Sequence, residues 1–220
     1  MGKLLVIEGL DASGKGTQTK LTEEYLKTLG LCVKTIDFPD YSSRSSELVK
    51  LYLSGELSEN LEDINAYAAS SFYAVDRYAS YISQWKKDYQ KGDFILANRY
   101  STSNATYQMS KISDNERDDF LTWLEDYEYN KLELPRPNAV IYLNMSINVV
   151  GKLLKKRYDG DENKKDIHEK NVDFLTKCSR SGLYAAEKLN WKVINCCDGE
   201  NPLSVEEIQS QIRGIINNFL

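Results

Sequence analysis

The seven residues Gly9 to Lys15, Gly-Leu-Asp-Ala-Ser-Gly-Lys, follow directly on the apolar run 4–8 and open a helical stretch that reaches Leu29. No other feature constrains the fold as tightly. A glycine-rich turn between a buried strand and a helix points backbone N–H groups inward, and the helix dipole adds positive potential at the same place. Such a turn receives phosphate. Gly9, Leu10, Asp11, Ala12, Ser13, Gly14, Lys15, Gly16 and Thr17 are therefore candidate ATP contacts, with Lys15 a point charge for the β- and γ-phosphates. The residue after the lysine departs from the usual pattern. Gly16 stands where a Ser or Thr hydroxyl normally meets magnesium, and Thr17 is the nearest hydroxyl. Either the metal is held largely through water, or the site is weak in metal.

Strand and helix signals keep alternating beyond this point. Short, nearly continuous apolar runs at 4–8, 32–38, 94–98, 139–144 and 191–196 read as strands buried on both faces. Helical patterns lie between them: Lys15 to Leu29, Leu61 to Gln90, Asp114 to Tyr129, Ile147 to Arg157, Glu169 to Leu189 and Ser204 to Phe219. This order predicts an α/β fold, a parallel sheet with helices on both faces, in one domain over 1–220. Segment 155–170 stands apart because it is nearly all charged; composition alone reads it as a solvated loop.

With 41% hydrophobic and 28% charged residues the chain is of ordinary globular composition. A net charge of -5 gives no reason to expect a nucleic-acid partner, and an anionic substrate would need a local basic pocket. Cys32, Cys178, Cys196 and Cys197 lack paired metal-ligand spacing, and His168 is the single histidine, so a zinc site is not indicated. The apolar run Leu4 to Ile7 is too short for a signal peptide or membrane span. The expectation is a cytoplasmic protein with no membrane partner.

Taken in order, Glu8 to Gln18, Phe38-Pro39-Asp40-Tyr41, Phe72 to Arg77, Asn98 to Tyr107 and the charged segment 155–170 resemble the thymidylate kinase family over nearly the whole chain. The resemblance implies a three-layer P-loop kinase fold with a five-stranded parallel sheet and a mobile lid at about 152–168. It also implies transfer of the ATP γ-phosphate to dTMP, giving dTDP and ADP, with Mg2+ and a homodimer built on the helix 61–90.

Residue by residue, the implied roles have physical reasons beside them. Tyr73 and Arg77 lie four apart and share a helix face, so a ring can stack on a base while a guanidinium reaches its carbonyl edge. Phe72 points about 100° away from that face. Tyr78, Tyr81, Trp85 and Tyr89, at helical spacing, read instead as core or subunit interface. Arg99 ends a strand, where open parallel sheets bind ligands, and is implied to bridge the donor and acceptor phosphates. Family members usually place Asp before this arginine, and here it is Asn98. Asn104 is implied at the pyrimidine edge and Tyr107 where a 2′-hydroxyl would sit. Phe38 and Pro39 form the implied wall beside the acceptor, with Tyr41 and Arg44 near its phosphate. Because Ala12 carries no charge, the resemblance draws the catalytic arginine from the lid, as Arg157. Asp11 and Glu169 are the implied carboxylates around magnesium, and His168 reads as a lid surface residue. Two other readings stay open: another nucleoside monophosphate kinase, since adenylate kinases share Gly14 to Gln18, and a nucleotide sensor with little turnover, favoured by Gly16 and Asn98.

Overall fold

A computed structural model describes residues 1–58, 60, 62–159, 168–169, 171–199 and 201–220. Strand β1 is Leu4–Gly9, followed by helix α1 (Lys15–Thr28) and β2 (Val33–Asp37). A 3-10 turn, Arg44–Ser46, leads into α2 (Glu47–Ser54). Then come α3 (Ala66–Ser80), a π-helical turn Tyr81–Trp85, α4 (Lys86–Lys91) and β3 (Phe94–Asn98). Beyond a second π turn, Asn104–Gln108, lie α5 (Arg117–Glu125), a third π turn Asp126–Lys131 and β4 (Ala139–Asn144). The chain continues with α6 (Ile147–Arg157), α7 (Val172–Lys188), β5 (Lys192–Asn195), a short hairpin of β6 (Cys197–Asp198) and β7 (Asn201–Pro202), and α8 (Val205–Phe219).

Strands β1 to β5 form a parallel sheet in the order β2-β3-β1-β4-β5. Side chains alternate between faces along a strand, and here both faces are covered. Leu4 and Val6 pack with Ile95, Ala97, Val140 and Tyr142 on one side. Leu5 and Ile7 pack with Leu96, Ile141, Leu143 and the helical residues Leu26 and Ile212 on the other. All six residues of β1 are buried. Truncating any of these leucines to alanine would cost about 2–5 kcal/mol, so the strand carrying the phosphate loop is anchored from both faces.

Three helix expectations are corrected. The long helix begins at Ala66 rather than at Leu61, which lies outside the described residues; Asn65 caps its start by accepting a bond from Ala68 N–H. The helix expected from Glu169 starts at Val172, because Asn171 caps it through Phe174 N–H. Helix α2, not anticipated, ends on Gly55 at φ 83°. Of the expected lid 152–168, residues 152–157 finish α6, and 160–167 lie outside the described residues.

Candidate active site

The segments leaving the carboxyl ends of β1, β2 and β3 meet over a cleft of about 170 Å³, where open parallel sheets bind ligands. Asp11 comes from the first, Asp37, Phe38 and Pro39 from the second, and Arg99, Tyr100 and Ser103 from the third. Tyr73 and Arg77 enter from α3, Asn104, Tyr107 and Gln108 from the second π turn, and His168 from the far end of the charged segment. A π turn spreads its residues wider than an α turn, and this one directs three side chains to one cleft.

The phosphate loop has the backbone its sequence demands. Gly9, at φ 150°, lets β4 approach; a Cβ there would lie 2.8 Å from Leu143 O. Gly14, at φ 90°, precedes Lys15, whose Nζ donates to Leu10 O at 2.7 Å. Burial, reinforced by the charge of Arg99, pushes the Lys15 ammonium down to about 7, while Asp11 and Glu8 oppose the shift. A hydroxyl-bearing side chain would fit at Gly16, where an added Cβ meets nothing within 4 Å.

Arg99 is the hub of the site. Its backbone is left-handed, at φ 66°, a costly conformation for a non-glycine residue. Nη2 donates to Asp11 Oδ1 at 2.6 Å and to Tyr107 Oη at 3.2 Å; Nη1 reaches Glu8 Oε1 at 3.4 Å and Ser103 Oγ at 3.3 Å. Tyr107 Oη in turn donates to Asp11 Oδ2 at 2.8 Å, and its ring lies beneath the guanidinium. Burial alone would raise the Asp11 carboxyl, but Arg99 and Lys15 outweigh it and hold the group well below the usual carboxylate range. Glu8, fully buried at the end of β1, also accepts from Thr102 Oγ1 and Ser103 Oγ, both at 2.7 Å.

At the other end of the cleft, Arg77 is 1% exposed and donates through Nε to Glu128 Oε2 at 2.8 Å and through Nη2 to Glu128 Oε1. Asn104 Nδ2 donates to Ser70 O and to Glu128 Oε1, both at 3.2 Å. Tyr73, and not Phe72, lines the cleft.

The family model for thymidylate kinase matches residues 7–212. The chain belongs to the thymidylate kinase family. It is 26% identical to the thymidylate kinase of Mycobacterium tuberculosis over 186 residues, 84% of each chain. Against that of Danio rerio it is 23% identical over 222 residues, covering 100% of this chain and 92% of the relative. The thymidylate kinase structure from Candida albicans superposes with a TM-score of 0.71 at 22% identity, covering 99% and 92% of the two chains, a likeness of the three-layer P-loop kinase fold.

Tyr41 lines the cleft, whereas Arg44 is exposed and is not among its lining residues. Arg157 Nη1 lies 3.6 Å from Glu169 Oε1, and its charge is felt at Lys15. His168 is corrected from a surface residue to a buried one: it is 4% exposed, bonded to Tyr52 Oη at 3.0 Å and stacked on Tyr107. Trp85 and Tyr81 are core, while Tyr78 is exposed.

Sequence reasoning missed Glu8, Asp37, Glu128 and the cleft role of His168. Asp37 and Asn98 lie side by side at the ends of neighbouring strands, and Asn98 Nδ2 donates to Asp37 Oδ1 at 3.1 Å. Burial raises the Asp37 carboxyl, although the Asn98 bond opposes it. The strand-end rule that selected Arg99 would also have flagged Glu8 and Asp37. Nothing local marks Glu128. The donor set suits magnesium: Asp11 and Asp37 offer carboxylate oxygens, and Asn98 Oδ1 is buried without a protein partner. Among the described residues no three His, Cys, Asp or Glu side chains converge as a metal site. The ion therefore fits only with nucleotide phosphates and water completing its shell.

Proposed function

We propose that this chain, as one kinase domain over residues 1–220, transfers the γ-phosphate of ATP to dTMP and releases dTDP and ADP. The observation that carries this is a single cleft whose two ends match the two halves of the task. Asp11 and Arg99 gather at the phosphate-loop end beside Lys15, Tyr73, Arg77 and Asn104 at the other, and Tyr107, bonded to Asp11 and Arg99, lies between them. Phosphoryl transfer asks for positioning and positive charge rather than covalent chemistry.

In this reading the loop from Gly9 to Thr17 holds the ATP phosphates, Lys15 being charged by them. Arg99 lies between donor and acceptor, and Arg157 brings a further cation from the end of α6. Phe38 and Pro39 wall the acceptor, Tyr41 lies near its phosphate, Tyr73 stacks on the base, and Arg77 and Asn104 read its edge. Tyr107 fills the space beside the sugar, selecting deoxyribose. Arg44 would reach the acceptor phosphate only by turning in from the surface. The acceptor phosphate is already ionised, so no general base is required.

Magnesium, when bound with ATP, supplies charge neutralisation at the transferring phosphate. Asp11 and Glu169 are the proposed carboxylates toward it, with Asp37 beside Asn98 a third. A homodimer is part of the same reading: Val75, Tyr78 and Ile82, spaced by 3 and 4 along one helix face, are 49%, 42% and 47% exposed. A cytoplasmic setting agrees with four cysteines that are all free. Among the described residues no helix is long and apolar enough to cross a membrane.

The test is ADP release from ATP and magnesium with dTMP, dUMP, UMP and AMP offered separately. Turnover should be fastest with dTMP. Preference for AMP would make the chain an adenylate-type kinase, and ATP binding without turnover on any acceptor would make it a sensor.

A further inference from the structure

Glu128 is fully buried in the π turn that follows α5 and is not among the residues lining the cleft. A carboxylate removed from water must be matched by donors. Its donors are the two groups at the far end of the cleft: Arg77, through Nε and Nη2, and Asn104, through Nδ2. Arg77 Nη1 also donates to Tyr100 O at 3.4 Å, and Asn104 Nδ2 to Ser70 O at 3.2 Å.

These bonds fix what each group has left to offer. An asparagine amide has two N–H donors and one carbonyl acceptor. Both donors of Asn104 are taken, by Glu128 and by Ser70 O, so the side chain retains only an acceptor, Oδ1. Arg77 can only donate, and Glu128 holds its fork in one orientation. The cleft therefore presents one acceptor and one cationic donor as a pair of fixed polarity. An imide edge complements that pair, with a ring N–H beside a carbonyl, as in thymine and uracil. Cytosine presents the reverse, an unprotonated ring nitrogen beside an amino group, and would meet acceptor with acceptor and donor with donor.

We propose that Glu128 is the positioning residue that sets pyrimidine choice in this chain, by locking Asn104 and Arg77 into the polarity that accepts an imide base and rejects cytosine. The inference rests on the dTMP kinase reading above and extends it to a residue that touches no substrate. Glutamine at 128 would bring its own N–H toward Asn104 Nδ2 and break that bond, leaving the amide held by Ser70 O alone and able to shift its acceptor off the base edge. It would also remove the charge that holds Arg77. Aspartate would keep the charge that Arg77 needs while withdrawing one methylene from Asn104.

The experiment compares the wild type with Glu128→Gln, Glu128→Asp, Asn104→Ala and the Glu128→Gln/Asn104→Ala pair. For each, kcat and KM with dTMP and dCMP are measured, dTMP and dCMP affinities are taken by calorimetry without turnover, and ATP binding checks the fold. Glu128→Gln should raise KM for dTMP about tenfold with kcat kept within about threefold, and lower the dTMP-to-dCMP selectivity about 10- to 100-fold. Glu128→Asp, expected to keep the fold, should lower it at least about threefold. On the Asn104→Ala background, the change to Gln should alter selectivity at least about threefold less than it does in the wild type, since only its effect through Arg77 remains. Unchanged selectivity in Glu128→Asp, or an equal effect with and without Asn104, overturns the proposal. A wild type that neither binds nor phosphorylates dTMP overturns the kinase reading itself, a distinct result.

Discussion

Arg99 Nη2 and Asp11 Oδ1 are 2.6 Å apart, an ion pair that ties the third strand's end to the phosphate loop. The side chains are 14% and 25% exposed, so the pair is partly screened from water. It holds in place the arginine proposed above for the transferring phosphate. Asp11→Asn should cost about 1–3 kcal/mol of stability, read from thermal melts. It should also lower kcat about 10- to 100-fold and shift the magnesium concentration needed for activity. An unchanged magnesium response would remove Asp11 from the metal's surroundings.

The buried Lys15 gives a proton-linkage prediction. In the free chain its ammonium is pushed down to about 7, first by burial and then by Arg99. A triphosphate would restore the charge. At pH 8 ATP binding should therefore take up close to one proton, and at pH 6 about none. Apparent ATP affinity should fall as pH rises above 7. Calorimetry in two buffers of different ionisation enthalpy reads this directly, and Lys15→Met should abolish the uptake.

Gly16 can be returned to the common pattern, because a Cβ there meets nothing within 4 Å. Gly16→Ser should fold normally and lower the magnesium concentration for half-maximal activity about 3- to 10-fold. No change in that concentration would mean that the missing hydroxyl never limited the metal.

His168 should make the protein acid-sensitive. Burial, helped by the charge of Lys111, pushes its imidazole down to about 3. The unfolded chain takes up a proton near pH 6.5 while the folded chain does not, so stability falls as pH drops from 6.5 toward 3. Between pH 6.5 and 5 this one group should account for about 2 kcal/mol. His168→Gln should lose correspondingly less on acidification, measured by denaturant melts at both pH values.

The sheet was legible because its three inner strands, β3, β1 and β4, are buried on both faces, whereas the edge strands β2 and β5, expected to be buried likewise, are partly exposed. A run such as Phe94–Asn98 shows as five consecutive residues with turn signals on either side. Helix starts were less legible wherever an asparagine cap, Asn65 or Asn171, lay inside a longer helical pattern. In the site, Lys15 and Arg99 could be found because local context, a glycine-rich turn and a strand end, carries their chemistry. Glu128 could not. It stands at the end of the helical pattern Asp114 to Tyr129 among other charged residues, and its partner Arg77 is 51 residues away. The single histidine was misread for the same reason: a charged neighbourhood in sequence, but Tyr52, Tyr107 and Phe174 around it in space.

The central claim is that phosphate passes from ATP to dTMP in this cleft. Phosphorus NMR of the protein with ATP, magnesium and dTMP tests it most directly, because it identifies the products. The account predicts dTDP and ADP accumulating in equal amounts, with no inorganic phosphate. Inorganic phosphate and ADP without dTDP, or a static spectrum despite bound ATP, would contradict it.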